Sequence, residues 1–253
     1  SFTSPGVNVH VTKIIPVVAF AASALAVGAA HAGNVTLTGF AWGSQQVTAK
    51  NVSPGSPTFG ASTVNAGAFT GSTSGFADGF NGALITYCVE YVETFSFSSM
   101  SGYEVVAGDD YVHWGGNASA IAWRVGSLMT YLGTLADPVD TAFESAAAQL
   151  AIWEIIYEKP VDEDLSLVDG NFLESKSGND SLREKADAYL AGSEGGDNAF
   201  DVYVLTKDAS QDFLLLRDRL PPSEVPLPGS LALLAGGLGV MGLATRRRRG
   251  TGA

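Results

Sequence analysis

Ala83-Leu84-Ile85-Thr86-Tyr87-Cys88-Val89-Glu90-Tyr91 is the stretch on which the fold turns. Its β-branched and aromatic residues alternate in the strand manner, and the pattern predicts a strand over residues 83–97. Ile85, Tyr87, Val89 and Tyr91 share one face, and Leu84, Thr86, Cys88 and Glu90 share the other. Cys88 is thus expected on the less apolar face, where an ionisable thiol costs less. Upstream, residues 33–82 are rich in Gly, Ser, Thr, Ala and Val and poor in charge. Val35-Thr36-Leu37-Thr38-Gly39-Phe40 and Gln46-Val47-Thr48 alternate, glycines punctuate turns, and Phe59, Phe69, Phe76 and Phe80 recur. That predicts short strands with something to bury rather than a linker.

Downstream the period changes. Residues 118–132 read as a helix with Ile121, Val125, Leu128 and Leu132 on one side, ended by Asp137-Pro138. Thr141-Ala142-Phe143-Glu144 is a capping box that opens a second helix, running to about Glu158 and stopping before Pro160. Gln149, Trp153 and Ile156 share one face of it. The run Ser145-Ala146-Ala147-Ala148 permits close approach of another backbone. Ser181-Leu182-Arg183-Glu184 is a second capping box and predicts a third helix ending near Gly192, and residues 199–205 and 213–216 read as closing strands. Strands, then helices, then strands imply an α+β fold: a β-rich sandwich or barrel with an inserted helical subdomain.

Both ends read as export signals flanking this domain. Residues 1–32 divide into a leader and a signal peptide: Lys13 is the cationic start, residues 14–29 are apolar, and Ala30-His31-Ala32 fits small-x-small cleavage. Val11 is taken as the natural initiator, with residues 1–10 an over-extended start. At the other end, Val225-Pro226-Leu227-Pro228-Gly229 leads into an apolar Leu/Gly/Ala stretch, followed by Arg246, Arg247, Arg248 and Arg249. Physically this is a short membrane helix with a cationic stop whose arginines stay cytoplasmic. Residues 225–253 resemble the PEP-CTERM sorting signal, in a form that begins Val-Pro-Leu-Pro. The resemblance implies a Gram-negative host, processing by an exosortase near Pro226 and Pro228, and a transient inner-membrane anchor. The expected destination is the cell surface or extracellular matrix.

The domain between, residues 33–224, holds nine basic residues against all 26 acidic ones, a net charge of −17. That argues against nucleic acid or an anionic membrane surface as partner. Asp162-Glu163-Asp164 and Asp169-Gly170-Asn171 match no calcium-loop spacing and read as a solvated acidic loop. His113 is the sole histidine of this domain and Cys88 the sole cysteine of the chain, so no zinc site of the usual kind is expected. No cofactor is implied.

Exported proteins normally pair their cysteines, so a lone one points to an intermolecular bridge, a buried inert thiol, or a thiol committed to other chemistry. Tyr87-Cys88-Val89 on a strand, with Gln149-Leu150-Ala151-Ile152-Trp153 on a helix, resembles the thioester domain of bacterial surface adhesins. This chain has Ala148 where that family usually has Thr. The resemblance implies an internal Cys88–Gln149 thioester that captures an amine of a partner once, as an adhesin does, without turnover. Beside such a bond, Tyr87 is expected to pack and Trp153 to shield it, while His113 reads as a loop or edge-strand residue that is also a candidate proton carrier. The partner would be an amine-bearing surface protein or exopolysaccharide. Two other readings stay open. One is a non-covalent structural or exopolysaccharide-matrix protein with an inert buried cysteine. The other is a Cys88–His113 hydrolase assisted by Asp109 or Asp110, which nothing positive supports.

Overall fold

The computed structural model describes residues 32–52, 58–77, 79–158 and 165–219. Residues 1–31 of the expected N-terminal signal, the whole expected C-terminal signal and Asp162-Glu163-Asp164 lie outside these residues. The chain forms β1 (Gly33–Phe40), β2 (Gln45–Asn51), β3 (Phe59–Ala66), β4 (Phe69–Ser74), β5 (Gly82–Thr86) and β6 (Ser99–Ala107). Two short 3-10 turns, Gly108–Asp110 and Val112–Asn117, lead into α1 (Ala118–Thr134) and α2 (Ala142–Tyr157). Then come β7 (Phe172–Glu174), α3 (Asp180–Ser193), β8 (Phe200–Thr206) and β9 (Phe213–Asp218). The fold is mixed α+β, as the sequence predicts, with the three helices of the described residues inserted between the paired strands β6 and β8.

The main sheet has the order β5-β4-β1-β6-β8-β9, and β2 sits between β3 and β7 in a smaller one. The main sheet nearly closes on itself. Beyond β5 the chain reaches β9, where Leu214 N–H donates to the Tyr87 carbonyl at 3.0 Å and Val89 N–H to the Asp212 carbonyl at 3.0 Å. Cys88 faces Phe213 across this bridge. Curling the sheet hides the edges that an open sheet would leave unpaired.

α2 fills the space beside this barrel. Every residue from Ser145 to Tyr157 is buried, as expected of a helix apolar all round. Thr141 caps it: its hydroxyl accepts from Glu144 N–H at 3.2 Å and donates to the Glu144 carboxylate at 2.8 Å. The small residues of its first turns admit the loop before β4, where Ala68 N–H donates to Ser145 Oγ at 2.6 Å. α1 buries the predicted Ile121, Val125, Leu128 and Leu132.

Three expectations need correction. The strand ends at Thr86 rather than running to residue 97. Its faces are reversed at the start: Leu84 and Thr86 are buried and Ile85 is half exposed. Thr86 can face inward because its hydroxyl donates to the Leu214 carbonyl at 2.6 Å, which removes the penalty for burying it. The third helix begins at Asp180 with Asn179 as its N-cap residue, not at a Ser181 capping box.

Tyr91 ties the small sheet to the segment after β5. Its buried hydroxyl accepts from Ala49 N–H at 2.8 Å and donates to the Ser62 carbonyl at 2.6 Å. Tyr91→Phe should therefore lower stability by about 1–3 kcal/mol, because Ala49 N–H is left buried without a partner. Urea denaturation at neutral pH measures this directly.

Candidate functional site

The centre of the site is the meeting of the 87–89 bridge with α2. In an extended chain, successive peptide groups point to opposite sides. Tyr87 and Val89 use theirs on β9, so the N–H and carbonyl of Cys88 point away from it, toward α2. The Gln149 carboxamide receives them both. Cys88 N–H donates to Gln149 Oε1 at 2.8 Å, and Gln149 Nε2 donates to the Cys88 carbonyl at 3.0 Å. The side-chain amide thus pairs with Cys88 as a neighbouring strand would. The two residues predicted to meet do meet, and both are buried, Cys88 at 7 % exposure and Gln149 at 1 %.

Burial sets the electrostatics. Desolvation pushes the Cys88 thiol well above its ordinary range, and the negative charge of Glu90 pushes it further the same way. A free thiolate is therefore strongly disfavoured here. The amide faces the opposite situation. A backbone N–H already rests on its carbonyl oxygen, where negative charge develops when a nucleophile adds to the carbon.

The supporting residues separate into two groups. Tyr87 is buried, and desolvation raises its phenol above the ordinary range. Trp153 lies one turn after Gln149 and packs edge-on against Tyr91, with ring centroids 4.8 Å apart. Both Cys88 and Trp153 border a cavity of about 240 Å³ whose other walls include Phe69, Phe95, Tyr91 and Glu90. The buried Trp153 indole N–H has no hydrogen-bond partner. His113 is placed differently. It is exposed on the second 3-10 turn, rests against the Tyr111 ring, and borders a second cavity of about 190 Å³ that Cys88 does not line. Asp109 and Asp110 are exposed on the first turn.

Between the two cavities lies a cluster the sequence did not announce. Glu90 borders both. Tyr111 Oη lies 2.7 Å from Glu90 Oε1 and 2.5 Å from Asp212 Oδ2. Glu90 Oε2 accepts from Asp212 N–H at 2.8 Å and from Gln211 Nε2 at 2.9 Å. Asp212 also accepts from the Thr206 hydroxyl at 2.8 Å and from Lys207 N–H at 2.9 Å. Desolvation, reinforced by Asp212, raises the Glu90 carboxyl to about 7. The one available signal was the i, i+2 spacing of Cys88 and Glu90, which puts them on one side of an extended chain. Asp212 lies 122 residues away in sequence from Glu90, and no local pattern could have paired them.

Among the described residues, no helix is long and apolar enough to cross a membrane, and no group of three His, Cys, Asp or Glu side chains could hold a metal ion. Asp169 is exposed, whereas Asn171 bonds the Glu158 carboxylate. No protein-family model, curated protein or solved structure matches this chain.

Proposed function

We propose that this chain is an exported bacterial surface or matrix protein in which Cys88 and Gln149 condense to an internal thioester that binds an amine of a partner covalently. The observation that carries the reading is the reciprocal, buried hydrogen bonding of the Gln149 carboxamide with the backbone of Cys88. It holds the amide carbon against the residue that bears the thiol, on a bridge and a helix that are both fixed by the core. Such placement can contribute on the order of 7–11 kcal/mol toward a barrier that an unactivated amide otherwise makes prohibitive.

The chemistry follows from the contacts. The Cys88 sulfur adds to the Gln149 carbonyl carbon, and the oxyanion is held by Cys88 N–H. The C–N bond then breaks, and the thiol proton leaves with the amide nitrogen as ammonia. The product is a thioester shielded from water by the aromatic walls of the cavity. A primary amine, as on a lysine side chain, later attacks the same carbon, forms an amide to Gln149 and releases the Cys88 thiol. The event happens once per molecule and is not turnover. The apolar segment and arginines near the C-terminus would hold the chain in the inner membrane until an exosortase cuts near Pro226 and Pro228. The protein would then rest on the surface or in the matrix.

A second reading is favoured by the same bonds. They also satisfy the Cys88 peptide group as a third strand would, which is sufficient reason for a buried glutamine in a structural matrix protein with an inert cysteine. Intact mass of the purified protein separates the two. Thioester formation requires a mass lower by one ammonia, and a thiol that reacts with alkylating reagents only after methylamine is added. A full mass in every preparation sinks the covalent reading and leaves the structural one.

A further inference from the structure

Condensation of a thiol with an amide needs a proton taken from sulfur and a proton given to nitrogen. At neutral pH a buried Cys88 cannot shed its proton to solvent unaided, because burial and the adjacent charge both oppose the thiolate. His113 does not share the cavity of Cys88, whereas Glu90 does. The Glu90 carboxyl is also placed in an unusual proton balance. Tyr111 has one hydroxyl proton, yet its oxygen lies within hydrogen-bond distance of a carboxylate oxygen of Glu90 and another of Asp212. One proton cannot serve both contacts, so an additional proton on one carboxyl completes the cluster.

We infer that Glu90 is the proton carrier of the Cys88–Gln149 pair, accepting the thiol proton as sulfur attacks and returning it to the amide nitrogen as ammonia departs, with Asp212 and Tyr111 setting its readiness to do so. The inference rests on the thioester reading and adds to it the group that moves the proton. Atoms balance: one S–H and one C–N bond break, one S–C and one N–H bond form, and Glu90 ends as it began. Its neighbours determine the proton affinity. Asp212 supports the protonated form, while Lys207 and Asp208 border the outer cavity with His113. Tyr111, Tyr103 and Tyr157 face Glu90 as neutral phenols, their ionisation opposed by burial and by the charge of Glu90 itself. Glu93, on the same segment, borders both cavities and is held above its ordinary range, mainly by desolvation.

The test follows ammonia loss by intact mass as the full chain refolds from denaturant under reducing conditions across pH. The wild-type rate should rise through an inflection near the Glu90 value of about 7 and then level off, well below the range in which the thiol itself would ionise. Glu90→Gln should fold and lose ammonia about 100-fold more slowly at the plateau, with the inflection gone. Asp212→Asn removes the charge that supports the protonated form, so it should move the inflection to lower pH. That shift is something a merely structural role would not produce. A wild-type profile without a neutral inflection overturns the proposal, as does Glu90→Gln at the wild-type rate. If Glu90→Gln fails to fold, an unmoved inflection in Asp212→Asn overturns it. A wild-type chain that never loses ammonia defeats the thioester reading itself, and this inference with it.

Discussion

Gln149→Ala should lower the stability of the protein by about 3–5 kcal/mol, the largest loss expected from any substitution at the site. Two effects combine. The N–H and carbonyl of Cys88 lose their partners in a place where exposure of Cys88 is only 7 %, so water does not replace them. Each buried polar group left unsatisfied costs about 1–3 kcal/mol. The lost side-chain volume adds a cavity term on a helix packed on every side. Gln149→Met separates the two: it fills most of the space yet offers no polar partner, and should recover about 1 kcal/mol of the loss. Guanidinium unfolding of the three proteins measures the series. This loss is expected of the chain that keeps its amide, because thioester formation expels the Gln149 nitrogen and with it the bond to the Cys88 carbonyl. A Gln149→Ala protein as stable as the wild type would mean that the amide does not hold Cys88 as described.

A gain of similar size is expected one turn further along α2. Glu154 is wholly buried; its Oε1 accepts from Ser166 N–H at 2.9 Å and its Oε2 has no hydrogen-bond partner. Desolvation raises its carboxyl to about 9, with Glu158 and Asp187 adding to the rise against the Ser166 contact. The folded state therefore keeps a proton at pH 7 that the unfolded state releases. A raised carboxyl contributes stability that is fully present below the unfolded value, near 4.5, and is lost as pH rises toward about 9. By pH 7 that loss amounts to about 3 kcal/mol. Glu154→Gln is uncharged at every pH and keeps an oxygen for Ser166. It should exceed the wild type by roughly 2–3 kcal/mol at pH 7 and match it near pH 4. Denaturant titrations at the two pH values check the sign. A variant no more stable at pH 7 would show that Glu154 is ionised and solvated in the folded protein. Glu158, four residues on, accepts from Asn171 N–H, Asn171 Nδ2 and Phe172 N–H.

What could be read from the chain divides along physical lines. α1 and α2 were legible because a helix is specified within a few turns, by spacing of apolar residues and by the Thr141–Glu144 cap. The closing strands β8 and β9 were legible as apolar runs. β6 was not, since Ser99-Met100-Ser101-Gly102 looks like a turn and its pairing comes from β1 and β8. β7 is three residues long and owes its conformation to β2. The reversed faces of β5 have one cause: alternation assigns a threonine to solvent, whereas the hydroxyl of Thr86 found a carbonyl inside. Within the site, Cys88 and Gln149 were paired through their resemblance to the two motifs of a thioester domain. Asp212 and Tyr111 came from opposite regions of the chain and had no such rule to join them to Glu90.

The burial of α2 from Ser145 to Tyr157 bears on what a captured partner would pull against. In the proposed capture, the acyl group belongs to Gln149, so the new amide hangs from the helix while the Cys88 sulfur is let go. Tension on a tethered partner would then pass into a helix gripped on every side, and not into the short bridge at β9. Extracting that helix means breaking the packing of the whole core at once, which makes the glutamine rather than the cysteine the point at which this molecule is fit to bear a mechanical load.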